Sequence, residues 1–293
     1  AMARPAVLGV AGPLLSLWFA SPAIAWWISQ PLARPREKLT ADQTLFLRKL
    51  ARKTWAFFET FVGPDDHWLP PDNYQEHPVA VIAHRTSPTN MGLALLANLS
   101  AYDFGYIPAG KLIERTANAL HTMGGLERHR GHFYNWYDTT SLQPLQPAYI
   151  STVDSGNLAG HLLTLRQGLL ALPDDPILGS RVFEGISDTV RVLEDVVGKT
   201  ASDQLVQLQE SLKFAIESPP TTLALALLYL DRLATSAAGI VAGVDALDAD
   251  SESEARWWAN TLAEQCWASL DELKFLAAWT SLPPSSDNLG VMP

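Results

Sequence analysis

Apolar positions recur at helical spacing along most of this chain, and polar, proline-rich stretches interrupt them. Thr40-Ala41-Asp42-Gln43 has the form of a capping box. Leu47, Leu50, Trp55, Phe58 and Phe61 then follow one helical face, and the pattern stops before Gly63-Pro64. Ser87-Pro88 predicts a capped helix with proline at its first position, running to about Tyr102. A further helix is expected from Pro108 to Gly124-Gly125, and another from about Ser155 to Leu172. Pro173-Asp174-Asp175-Pro176 reads as a turn. Helices are expected near 177–197, 202–217, 220–246 and 252–279, the last opened by Ser251-Glu252-Ser253-Glu254. Residues 79–83 read as a short extended piece, but no period-two run is long enough for a sheet core. The expectation is an all-α fold. Long helices alternate with long polar loops, which suits an α/α toroid of helical hairpins with the loops on one face.

The first residues break the pattern. From Ala6 to Leu32 no side chain is charged, a length that crosses a bilayer core of about 30 Å. Trp26 and Trp27 stand near one end, as in an interfacial belt. Arg34, Arg36 and Lys38 follow, against Arg4 alone on the other side, so the positive-inside rule places the C-terminal side in the cytoplasm. A signal peptide (Ser21-Pro22-Ala23-Ile24-Ala25 resembles a cleavage site) and a segment packed on soluble protein are the alternatives. The chain thus divides into residues 1–36, a candidate transmembrane segment, and 37–293.

Chemistry concentrates in the loops. One segment carries Asp72, Asn73, Tyr74, Gln75 and Glu76, then His84, Arg85 and Thr86. A second carries Asn135, Trp136, Tyr137 and Asp138, and a third Asp154, Ser155 and Asn157 just before a helix. Aromatic faces beside short carboxylates and amides suit a sugar, whose C–H face packs on a ring while its hydroxyls pair with donors and acceptors. Glycosidic chemistry needs two carboxyl groups, about 5–5.5 Å apart for retention and about 6.5–9.5 Å for inversion. Asp72, Glu76, Asp138 and Asp154 are available, with Glu76 and Asp154 the candidate catalytic pair. Each has a structural alternative: Asp154 as a helix cap, Asp72 and Asp138 as turn residues.

Composition narrows the field. The 293 residues carry a formal charge of −10, which disfavours nucleic acid and is compatible with a neutral carbohydrate. Cys266 is the single cysteine, expected as a buried apolar residue beside Trp267. Asp103-Phe104-Gly105 spells a kinase magnesium motif without its companion segments and reads as chance. His121, His129 and His132 lack metal-ligand spacing, and no metal or cofactor is expected. Arg128, His129 and Arg130 read as solvated or bound to local carboxylates.

WLPPDNYQEHP (68–78), VIAHRTSPTNMGLALL (81–96), DFGY (103–106), GHFYNWYDT (131–139) and STVDSGNLAGHL (151–162) together resemble the glucoamylase-like middle region of cyclic β-1,2-glucan synthases. The likeness is dense over about residues 55–170, and SPAIAWWIS resembles the last membrane helix preceding that region. It implies a bacterial inner-membrane enzyme and a cytoplasmic α/α-toroid domain. That domain closes a linear β-1,2-glucan into a ring by retaining transglycosylation, as part of a larger polypeptide. In that reading 37–293 is the front part of the domain. The catalytic glutamates of the family lie further toward the C-terminus, and the chain alone is inactive. Tyr74, Glu76, Trp136, Asp138, Asp154 and Asn157 then contact sugar or support residues that do. A stand-alone hydrolase or phosphorylase and a non-catalytic glucan-binding scaffold are the rival readings.

Overall fold

The structure, a computed structural model, describes residues 5–30, 38–198, 203–247 and 253–281. Pro31, Leu32, Arg34, Arg36, Ser251 and the 282–293 tail lie outside these residues. The chain divides into two compact units, Ala1–Thr44 and Leu45–Pro293.

In the first unit, α1 (Pro5–Ile28) forms despite Pro13 and Pro22 in its interior. Its residues Ala11–Ile28 are apolar enough and long enough to cross a bilayer, and Trp18, Trp26 and Trp27 stand exposed on it. The capping box opens α2 (Ala41–Phe61) as expected. Gln43 N–H donates to Thr40 Oγ1 at 3.2 Å, and Thr40 N–H donates to the Gln43 side chain at 2.9 Å.

The second unit continues α2 and adds α3 (Pro88–Asp103), α4 (Ala109–Gly125), α5 (Thr152–Ala171), α6 (Arg181–Val197), α7 (Asp203–Glu217), α8 (Leu223–Leu247) and α9 (Glu254–Leu276). The all-α expectation holds, with pairing limited to two-residue strands among the described residues. Ser87 caps α3, accepting from Asn90 N–H at 3.2 Å. Four starts differ from the sequence reading: α6 begins at Arg181 rather than near 177, α8 at Leu223 rather than near 220, and α5 and α9 differ at their caps. Ser151 caps α5 by accepting from Asp154 N–H at 3.1 Å, so the helix begins three residues earlier and Asp154 lies in its first turn. In α9 the cap is Ser253, which accepts from Arg256 N–H at 3.3 Å.

One core joins α6 to α9 through Phe183, Ile186, Leu208, Leu212, Leu230, Trp258 and Leu270. Cys266 belongs to it, with its thiol pushed up to about 12 by burial, as an inert apolar residue. α8 also has the length and hydropathy of a membrane span. Its Ala226, Leu230, Leu233, Ala234 and Ala237 are nevertheless buried in this core, and Asp231 and Arg232 interrupt its exposed side. It is a core helix.

A second core joins α3, α4 and α5 with loop residues Leu69, Leu126 and Tyr137. Arg115 of α4 reaches the end of α2, donating to the Phe58 carbonyl at 2.8 Å and the Val62 carbonyl at 3.1 Å. A cation there satisfies the orphan carbonyls of a helix C-terminus. Between the cores, Arg52 is fully buried. It donates to Thr189 Oγ1 at 2.7 Å and to Glu59 at 3.0 Å, its guanidinium lying over the Tyr106 and Trp258 rings. The Asp103-Phe104-Gly105 spelling now has a structural reason. Gly105 adopts φ +76 and packs so tightly on α6 that a Cβ on Gly185 would sit 2.2 Å from its carbonyl oxygen.

α3 and α5 run parallel: Thr89 meets Asn157, Gly92 meets His161, and Leu99 meets Gly168. A Cβ on Gly92 or Gly168 would lie 2.3 or 2.4 Å from its neighbour, so small residues set this close approach. Parallel alignment brings two helix N-termini to one end.

Candidate functional site

The two long loops meet at that end, as the sequence reading expects. β3 (Arg85–Thr86) pairs antiparallel with β6 (Tyr137–Asp138), setting Arg85 opposite Asp138 and Thr86 opposite Tyr137. Two hairpins flank this strip in sequence, β1 (Tyr74–Gln75) with β2 (Val81–Ile82) and β4 (Arg128–His129) with β5 (His132–Phe133). A clamp that the sequence reading missed fixes the loops together. Asp66, in a 3₁₀ turn (Pro64–Asp66), accepts from the Thr139 hydroxyl and meets His84 Nδ1 at 2.8 Å. His67 Nδ1 meets the Thr139 carbonyl at 2.9 Å, and Thr139 N–H donates to the His84 carbonyl at 3.1 Å.

Six residues expected from sequence (Asp72, Arg85, Trp136, Asn135, Asp154 and Asn157) form one continuous chain. Asp72 accepts from Arg85 at 2.9 Å and from Asn90 at 3.2 Å. The Arg85 guanidinium lies 4.9 Å from the centre of the half-buried Trp136 ring. Asn135 is oriented with its nitrogen donating to Asp154 at 2.9 Å and its oxygen accepting from Tyr149 and from Trp136 Nε1, each at 2.7 Å. The opposite orientation would retain only the Tyr149 contact and set amide oxygen against carboxylate. Asn157 donates to Thr89 Oγ1 at 3.1 Å, and Thr89 hydrogen-bonds Asp154 in turn.

Asp154 is the centre of this chain. Burial pushes its carboxyl up, but hydrogen bonds from Ser151, Thr89 and Ser87 outweigh burial and hold it below the ordinary carboxylate range. Those residues open α5 and α3, so two helix N-termini share one carboxylate. Asp154 is neither the cap nor outside the helix. It is an ionised acceptor, and a general acid would need the opposite shift.

The remaining expected residues fall apart in role. Tyr137 is fully buried; its hydroxyl donates to the Glu127 carbonyl and accepts from Tyr134 N–H, so it is a core anchor rather than a ligand contact. Asp138 takes its turn alternative: Oδ1 accepts from Thr140 and Ser141, chiefly the Ser141 backbone, which lowers its carboxyl to about 2. Ser155 donates to the Ser151 carbonyl, and Gln75 to the Val79 carbonyl. Tyr74 packs on Phe61 with ring centres 4.8 Å apart and keeps an exposed edge. Glu76 is exposed on the β1–β2 hairpin and has no hydrogen bond among the described residues. Among the described residues Arg128 meets no carboxylate; it stacks on Phe133 at 4.2 Å and donates to the Met123 carbonyl.

No family model matches the chain. Over 196 residues it is 39% identical to the cyclic beta-(1,2)-glucan synthase NdvB of Rhizobium meliloti (strain 1021), covering 66% of this chain. The chain is similar to a segment of a cyclic β-(1,2)-glucan synthase. That segment is 7% of the relative's length, so the relative's whole activity reaches this chain only by proposal. A crystal structure assigned as a glucoamylase of Bacteroides fragilis aligns with 61% of this chain and 36% of its own, at 14% identity and a TM-score of 0.31. A likeness that low decides nothing about this chain's fold or chemistry.

Proposed function

We propose that this chain is the glucan-holding part of a membrane-anchored cyclic β-1,2-glucan synthase. It takes a linear β-1,2-glucan at the loop end of an α/α-toroid domain, where ring closure proceeds by retaining transglycosylation. In the intact protein a carboxylate attacks the anomeric carbon and a carboxylic acid protonates the departing oxygen. That acid, now a base, takes the proton of the chain's distal hydroxyl as its oxygen attacks the anomeric carbon. The new glycosidic bond forms, the glycosyl–carboxylate bond breaks, and two inversions leave the configuration retained. α1 crosses the bacterial inner membrane and leaves residues 37–293 in the cytoplasm, the side that the basic residues after it favour.

The observation carrying this reading is the chain from Asp72 through Arg85, Trp136 and Asn135 to Asp154. Such an arrangement holds an aromatic face rigid among fixed acceptors, which suits a sugar ring. It also favours holding over chemistry within these residues. Asp72 is paired, Asp138 closes a turn and Asp154 is held ionised, so no carboxyl among them is poised as an acid.

Incubating the purified chain with linear β-1,2-glucan tests this division. We expect bound glucan and no rings, shortened chains or glucose 1-phosphate. Turnover that disappears in Glu76→Gln or Asp154→Asn would place the chemistry in these loops.

A further inference from the structure

The α7–α8 face, which shows no chemistry in its sequence, holds a pocket of about 540 Å³. That volume accommodates a small ligand. Its floor is aromatic: the Phe214 and Tyr229 rings lie 9° from parallel with centres 6.3 Å apart, and Phe214 is 55% exposed. Polar groups surround them. Gln207, Glu210 and Arg232 line the pocket, and among the described residues their side chains hold no hydrogen bond or ion pair, not even Glu210 with Arg232. Ser211 donates to the Gln207 carbonyl and keeps its lone pairs.

This inventory discriminates among ligands. An anion would meet Glu210, and a purely apolar partner would strand the guanidinium, the carboxylate and the amide at a loss of their hydration. A neutral ring with one C–H face and several hydroxyls satisfies both halves, packing on the rings and pairing with all three polar side chains. We propose that the Phe214–Tyr229 pocket is a second carbohydrate-binding site, which holds another portion of a neutral gluco-oligosaccharide away from the loop end. Its ligand class rests on the proposed function; its position does not. Two holding points on one chain raise the effective concentration of a long glucan at the loop end.

Hydrogen–deuterium exchange of the full chain, titrated with linear β-1,2-gluco-oligosaccharides and with β-1,4-linked ones of equal length, reads both places at once. The inference expects protection in 207–214 and 228–233. In Phe214→Ala and Arg232→Gln that protection should need at least tenfold more sugar, about 1.4 kcal/mol. Phe214 is exposed and Arg232→Gln leaves the rings in place, so at least one variant reports on a folded chain. Protection confined to 131–157 overturns the pocket and leaves the proposed function standing. Protection confined to the pocket upholds the inference and contradicts the loop-end site. No protection by either sugar overturns both. Protection that appears without sugar as protein concentration rises overturns the inference, because the face is then an interface between copies.

Discussion

Asp138 shows how a residue chosen for chemistry serves geometry instead. Its carboxylate accepts two backbone N–H groups and a hydroxyl, lowering it from 3.8 to about 2. A depressed folded value stabilises fully above the unfolded pKa and is lost as pH falls through the folded one. Thermal melts between pH 4 and 2 should therefore steepen in the parent chain. Asp138→Asn should start less stable and change less across that window; equal slopes would remove the turn from the acid response. Burial separates Asp138 and Trp136 from their neighbours. Asn135, Tyr137 and Thr139 are buried, whereas Trp136 and Asp138 are partly exposed. That alternation is the period of an extended segment, but the sequence does not carry it, because the buried positions include Asn135 and Thr139 and the partly exposed ones Trp136.

At the scale of elements, local rules were legible and distant pairings were not. The caps at Thr40 and Ser87 sit within three residues of the backbone they satisfy. Ser151-Thr152-Val153-Asp154 has that same spacing, and its cap starts α5 three residues before the expected Ser155. Asp66 meets His84 and Thr139 across 18 and 73 positions, so no local pattern reveals the clamp. Two-residue strands leave no periodicity to read. Ser87 belongs to both worlds, capping α3 and hydrogen-bonding Asp154. Ser87→Ala should cost about 1 kcal/mol as a lost cap and also weaken glucan binding. Ser253→Ala should cost a similar amount and leave binding unchanged. Denaturant unfolding paired with glucan titration separates them, and equal binding losses in both variants would reduce Ser87 to a cap.

The whole chain joins an apolar helix to a helical domain. α1 carries no charged residue, and its tryptophans stand exposed, a pattern suited to lipid. The full chain should partition with detergent or vesicles, and a form starting at Lys38 should remain in the aqueous phase. A full chain that stays monomeric without detergent would show that α1 packs on protein and would end the membrane assignment.

The central claim is that glucan lies on the Trp136 face. Trp136 is half-buried, braced by Arg85 on its ring and by Asn135 on its indole N–H. Stacking on an aromatic ring is worth roughly 1–3 kcal/mol per base in nucleic-acid complexes, a scale taken here for sugar. A core anchor of this size would instead cost about 3–5 kcal/mol of stability on truncation. Linear β-1,2-glucan affinity and melting temperature, measured side by side for the parent chain and Trp136→Ala, decide between the two. The account predicts an affinity loss of about tenfold or more with a small change in melting temperature. Unchanged affinity with a large drop in melting temperature would contradict it.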